Sequence, residues 1–322
     1  MNIATFTETM NQWGRNKVPF LFVVDFEMQR PLLMRLADVN PSEILYRVHD
    51  TTNAPPAHGS EGIVLKKMPL PEPDYRKKFE QVYGHLAYGD SFLTNLTVKT
   101  EVRMDHSLRD VFHLSHARYK LLVEDQFLVF SPEIFVRIKD QKIYSFPMKG
   151  TLDASVPNAK ETLLADPKEI AEHVTIVDLI RNDLSQVASS VNVTRFRYVE
   201  EIRTPSKTLL QVSSEVVGDL APDYRHHLGD ILVRLLPAGS VSGAPKPKTL
   251  EIIREVEQER RGFYTGVFGI FDGTNLDSGV MIRFIEKQGD RYFYRSGGGI
   301  TAQSSAASEY QEVIDKVYVP LT

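Results

Sequence analysis

Cysteine is absent from all 322 residues, and tryptophan occurs once. Without a thiol there is no disulfide, no thiolate nucleophile and no zinc site held by sulfur, so any metal must be bound through oxygen or histidine. The same absence suits a reducing compartment, and a cytoplasmic protein is expected. No stretch of 18 or more apolar residues occurs, and the opening MNIATFTETMNQWGRNK has no apolar signal core, so no membrane contact is expected. Basic blocks are missing as well. Lys and Arg total 38 against 42 Asp and Glu, a formal net charge of −4, which argues against nucleic acid and leaves a small molecule as the expected ligand.

What remains is the composition of an ordinary globular protein, 42% hydrophobic and 25% charged, long enough for one large domain of two sublobes or for two domains. The run VPFLFVVDFE (18–27) reads as a buried strand. In EPDYRKKFEQVYGHLAYGD the spacing of Tyr75, Phe79, Val82, Tyr83 and Leu86 predicts an amphipathic helix ending near Gly89. Phe92, Thr94, Leu96 and Val98 then alternate as a half-buried strand. Two hairpins follow, turning at Glu124-Asp125 and Asp140-Gln141. Asp166, Pro167 and Glu169 form a capping box before a helix, and further helices are read over 245–261 and in SSAASEYQEVIDKV. Between those last two, three strands are expected. Antiparallel strands with inserted helices point to an α+β fold.

Two i, i+3 carboxylate pairs, Glu169 with Glu172 and Glu309 with Glu312, each share one side of a helix. A single such pair is ordinarily a solvated surface, but carboxylates converging from two helices suit magnesium, which prefers hard oxygen ligands. Arg283 interrupts the apolar VMIRFIE and calls either for an internal acid or for a carboxylate-bearing ligand. Glu133 in SPE and Lys149 in PMKGT stand at strand ends, as a general acid and a desolvated amine would, or as surface charges do. The loop GSVSGAP and the triplet Gly297, Gly298, Gly299 fit no named phosphate motif and each reads alone as a turn.

Taken in order, SPE, PMKGT, AEHVTIVDLIRNDL, GSVSGAPK, EIIREVEQERRGFYTGVFG, MIRF, SGGGIT and SEYQEVIDKV resemble the chorismate-utilising enzymes. That family includes anthranilate synthase component I, aminodeoxychorismate synthase component I and the isochorismate and salicylate synthases. The resemblance covers residues 90–318 as a catalytic core, with 1–89 a weakly matched part of one chorismate-binding domain. It implies two facing, mainly antiparallel sheets surrounded by helices. It further implies Mg²⁺ held by Glu172, Glu309 and Glu312, with Glu169 outside them. Chorismate would be bound by Arg283, Ser242 and the backbone at Gly266 and Gly297–Gly299.

Lysine in the P-x-K-G-T slot is the family's mark of aminodeoxychorismate synthases, where anthranilate and isochorismate synthases usually carry alanine. Here it is Lys149. The resemblance implies that Lys149 adds to C2 of chorismate while Glu133 protonates the departing C4 hydroxyl, and that ammonia then displaces the lysine to give 4-amino-4-deoxychorismate, a precursor of 4-aminobenzoate and folate. Leu93 stands where isochorismate synthases have a water-activating lysine, and Leu210 where many relatives have a histidine. Lacking a cysteine, the chain needs ammonia from a separate glutamine amidotransferase subunit. Anthranilate synthase component I, or a non-catalytic subunit binding the amidotransferase, are the alternatives.

Overall fold

Helix α1 (Ile3–Arg15) precedes β1 (Phe20–Val24), β2 (Leu32–Arg35), β3 (Ile44–Val48), β4 (Thr51–Thr52) and β5 (Lys66–Met68). Helix α2 (Glu72–Tyr88) leads to β6 (Leu93–Arg103), α3 (Leu108–Leu114), β7 (Tyr119–Val123) and β8 (Phe127–Ser131). Next come β9 (Ile134–Lys139), β10 (Lys142–Ser145), β11 (Met148–Asp153), α4 (Ala159–Ala165) and α5 (Pro167–Leu184). Two long strands follow, β12 (Ser189–Arg203) and β13 (Thr208–Asp219), then α6 (Leu228–Leu235), β14 (Gly243–Ala244) and α7 (Lys246–Glu257). The chain closes with β15 (Val267–Phe271), β16 (Leu276–Val280), β17 (Phe284–Gln288), β18 (Arg291–Ile300) and α8 (Ala306–Asp315). This computed structural model describes residues 1–56, 62–203 and 208–321.

The strands form two nine-stranded sheets. One runs β11-β13-β10-β9-β16-β15-β1-β2 with β12 on β13, the other β14-β6-β18-β17-β8-β7-β3-β4 with β5 on β6. Strand β1 explains why its sequence is apolar throughout. Phe20, Phe22 and Val24 point into the core that α1, α5 and α6 build on the outer face of the first sheet, while Leu21 and Val23 point into the core between the sheets. A strand buried on both faces has no reason to alternate. The outer face of the second sheet is covered by α3, and β6 by α2, α7 and α8.

The α+β expectation holds, with local differences. Strand β6 is not half-buried: Leu93, Thr94, Leu96, Thr97 and Val98 are all buried, because helices cover one face and the cleft the other, while Phe92 lies outside the strand and is 72% exposed. Helix α7 stops at Glu257, with Gln258 in the left-handed conformation at its C-cap, short of the expected 261. Four strands stand where three were expected, because Leu276–Val280 and Phe284–Gln288 belong to different sheets. Arg283 sits at that switch with φ 53°, not inside a strand.

Beyond α7, Arg261 is 1% exposed, and its guanidinium donates twice to Glu257, at 2.9 and 2.6 Å. Removing one partner would strand a buried charge, at a cost on the order of 3–5 kcal/mol. Among the described residues no helix is long and apolar enough to cross a membrane.

Candidate active site

Besides the passage at 36–43, the chain passes between the sheets at 132–133, 220–242, 245–266 and 281–283. Beside these crossings lies a cleft of about 470 Å³. Its lining includes Glu133, Lys149, Glu169, Glu172, Arg283, Gly297, Gly298, Gly299 and Glu312. Residues as far apart in sequence as Glu133 and Glu312 therefore share one cavity.

Lys149 lies within β11, which pairs with β13, so it is a strand residue and not the end of the preceding hairpin. Its Nζ donates to Glu172 Oε2 at 3.0 Å. Glu172 is buried on α5, whose N-terminus is capped by Asp166 accepting from the Glu169 amide at 3.0 Å. Burial works to lower the Lys149 pKa, but the charge and hydrogen bond of Glu172, aided by Glu312 and Glu169, hold it above the ordinary lysine value. Glu133, at the crossing 132–133, accepts a short hydrogen bond from Ser240 Oγ. Burial raises its pKa against the opposing effects of that bond, Lys149 and Lys316. A carboxyl biased toward its protonated form and a lysine therefore face the same space.

Glu309 is 2% exposed and accepts from Ser304 Oγ at 2.7 Å, whereas Glu312 is more open and meets Lys316 Nζ at 2.6 Å. Arg283 donates to the Lys316 carbonyl at 2.7 Å and lies 4.6 Å over the Tyr318 ring, where an internal acid was the first expectation. The glycine triplet is the end of β18 paired to β6, not a turn. Leu93 and Lys149 Nζ flank Gly299.

Two residues expected at the ligand lie behind the cleft. Ser242 is fully buried and turns its hydroxyl back onto the Ala238 and Gly239 carbonyls, at 3.0 and 3.3 Å. Gly266 is glycine because a Cβ there would stand 2.2 Å from the Val24 carbonyl oxygen, and its amide already donates to Phe263. Leu210, where many relatives have a histidine, faces away from the cleft. It packs with Ala159 and Leu163 of α4, and the alternation of β13 gives the cleft to its neighbour Gln211.

The comparisons with known proteins agree with this fold. The description chorismate binding enzyme matches residues 24–322. The chain belongs to the chorismate-binding enzyme family. The match begins well before residue 90, because β1 is an inner strand of the first sheet. A Pasteurella multocida protein described as an uncharacterized PabA-like protein is 47% identical over 323 residues, covering 100% of both chains. Anthranilate synthase component 1 of Arthrobacter globiformis is 36% identical, over 78% of this chain and 50% of its own. Aminodeoxychorismate synthase component 1 of Bacillus subtilis is 32% identical, over 78% of this chain and 55% of its own. The chain thus spans about half the length of these two synthases. The menaquinone-specific isochorismate synthase of Escherichia coli superposes with a TM-score of 0.73 at 16% identity, over 97% of this chain and 80% of that one, a likeness of fold.

Within this cleft the carboxylates can be tested against a metal. As they are placed, no group of three His, Asp or Glu among the described residues is drawn together around one point. The nearest approach to a cradle is at Gly298, where a Cβ would lie 3.3 Å from Glu309 Oε2 and 3.4 Å from Glu312 Oε1. Burial, and then the charges of Glu309 and Glu312, raise the pKa of Tyr75, whose buried hydroxyl has no partner among the described residues. One or two carboxylates completed by water are enough for Mg²⁺, so the donor set fits. Sequence reasoning passed over Ser240, Gln211, Tyr264 and Lys316, all of which line the cleft. Lys316 was detectable: it stands four residues after Glu312 on the same helical side.

Proposed function

We propose that the chain is an aminodeoxychorismate synthase component I, aminating chorismate at C4 with ammonia from a separate glutamine amidotransferase subunit. The observation that carries this is the lysine in the cleft: Lys149 projects from β11 into the cavity that Glu133 also lines. Lys149 Nζ forms a bond to ring carbon C2 as both conjugated ring double bonds shift and the C4–O bond breaks. The Glu133 carboxyl gives its proton to the leaving oxygen, so water departs. Ammonia then attacks C4, both double bonds return and the C2–N bond breaks, restoring the lysine. As placed, Lys149 is an ammonium shared with Glu172, and it must pass a proton to that carboxylate before it adds.

Glu309 and Glu312, with Glu172 and Glu169 across the cleft, would hold Mg²⁺, which when bound neutralises a substrate carboxylate. Arg283 is suited to the second carboxylate through its planar fork. Leu93 beside Lys149 offers nothing to activate water, which supports amination over hydroxyl transfer.

Purified protein with chorismate, Mg²⁺ and ammonium should give, by mass spectrometry, a product retaining its enolpyruvyl group with an amine in place of a hydroxyl. Anthranilate as the product would overturn the reading. Lys149→Ala should abolish amination with ammonium, and Glu133→Gln should slow it by about 10²–10⁴-fold. Undiminished turnover in Lys149→Ala would remove the covalent step.

A further inference from the structure

Ser240 lies on the single turn Gly239–Val241, in the crossing that precedes β14, and its hydroxyl donates to Glu133 Oε1. The turn is held from several sides. Arg261 Nη1 donates to the Val241 carbonyl at 2.7 Å, Ser242 Oγ donates to the Ala238 carbonyl at 3.0 Å, and the Asn95 amide donates to the Ser242 carbonyl at 2.8 Å. The same guanidinium reaches the Asn95 carbonyl through Nη2 at 2.7 Å. Its own orientation is set by Glu257, which also accepts from the Thr97 amide and hydroxyl at 2.9 and 3.0 Å. One buried ion pair thus fixes both a strand of the cleft floor and the turn bearing Ser240.

We propose that Ser240 is a positioning residue for the acid Glu133, and that the Arg261–Glu257 pair holds the turn that aims it. This rests on the reading of Glu133 as the acid. A hydroxyl fixed on Oε1 leaves Oε2 as the oxygen that carries the proton toward the ring. A buried carboxyl without that partner can rotate, and its proton then points elsewhere. The charged groups facing Glu133 are Lys149 from β11 and Lys316 beyond α8, and both, like the Ser240 bond, favour the ionised form against burial.

The test follows the carboxyl directly, by NMR of ¹³C-labelled glutamate in the full chain, with Glu133→Gln identifying the signal. Ser240→Ala should raise the Glu133 titration midpoint by about one pH unit, the size expected for losing a hydrogen bond to a charged group. Ser240→Thr should restore it. Arg261→Lys keeps a charge opposite Glu257 but loses the fork that reaches both carbonyls, and should shift the midpoint the same way. The double variant should shift no further than Ser240→Ala alone. With chorismate and ammonium, Ser240→Ala should lower kcat about tenfold with KM nearly unchanged.

An unmoved midpoint in Ser240→Ala overturns the positioning role, and full additivity in the double variant overturns the part given to Arg261. Should Arg261→Lys fail to fold, Glu257→Gln takes its place in the same cycle. If wild-type protein makes no aminated product, the proposed function fails while the titration still decides whether Ser240 governs this carboxyl.

Discussion

Lys149 illustrates what a single residue reveals and withholds. Its slot between Pro147 and Gly150 was legible, because a lysine beside a strand and a Gly-Thr turn is either a surface charge or a desolvated amine. Its partner was not, since the bond to Glu172 joins two elements whose packing no local pattern encodes. The carboxylates were legible in the same limited way. Helical spacing put Glu309 and Glu312 on one side, but not the contrast between a buried Glu309 and an open Glu312. In the GSVSG loop the expectation fell on Ser242, whereas the serine facing the cleft is Ser240, because the helical turn directs their side chains differently. At this scale Gly298 makes a sharp prediction. Gly298→Ala would set a methyl 3.3 and 3.4 Å from the Glu309 and Glu312 oxygens and should weaken Mg²⁺ affinity roughly tenfold, about 1.4 kcal/mol, in isothermal titration calorimetry, with the circular dichroism spectrum unchanged. Unaltered affinity would place the ion elsewhere.

At the scale of elements, what sequence revealed was local chemistry. The Asp140-Gln141 turn was readable, and both residues adopt positive φ, 50° and 61°, as the tight hairpin between β9 and β10 requires. The N-cap of α5 was readable for the same reason. The break between β16 and β17 was not, because GVMIRF is apolar on both sides of a change of sheet and Arg283 alone does not distinguish a change of sheet from an interrupted strand. Strand β13 turns one residue of register into a prediction. Leu210→His would bury an imidazole against α4 and should destabilise the fold by roughly 1–3 kcal/mol, seen as a lowered denaturation midpoint. Gln211→His, one residue along and facing the cleft, should leave the midpoint nearly unchanged while altering the pH dependence of turnover. The reverse pattern would mean that β13 is paired one residue out of step.

Over the whole molecule, the order of eighteen strands in two sheets was not legible, because ladders such as β1 with β15 join residues about 250 positions apart. The family resemblance supplied two facing, mainly antiparallel sheets but not the strand order, and the antiparallel pairing matches it. One network ties the sheets together at a distance from the motifs. His49, next to β3, lies against Arg137 of β9 and 3.5 Å from Asp277 of β16, which also accepts from Tyr119 of β7 at 2.6 Å. Burial, with Arg137 and Arg118, outweighs Asp277 and Asp50 and lowers the His49 pKa below its ordinary 6.5. The unfolded chain therefore takes up a proton near that pH which the folded chain refuses, so this contribution is present above about pH 6.5 and is lost as pH falls below it. The urea midpoint should drop between about pH 7.5 and 5.5, and drop less in His49→Gln. An equal drop in both would remove His49 from the acid sensitivity.

The crossings between the sheets carry a wider consequence. Glu133, Ser240, Tyr264 and Arg283 all sit where the chain leaves one sheet for the other, so none of them is bound by the two-residue repeat that governs a strand. Part of the reactivity is thus written in stretches apart from the ladders, while Lys149 itself stands within β11. A frame divided in this way is free to exchange one transformation for another at a few junctions while every ladder bond is inherited intact, a form of evolvability that belongs to the wiring of the fold and not to any one side chain.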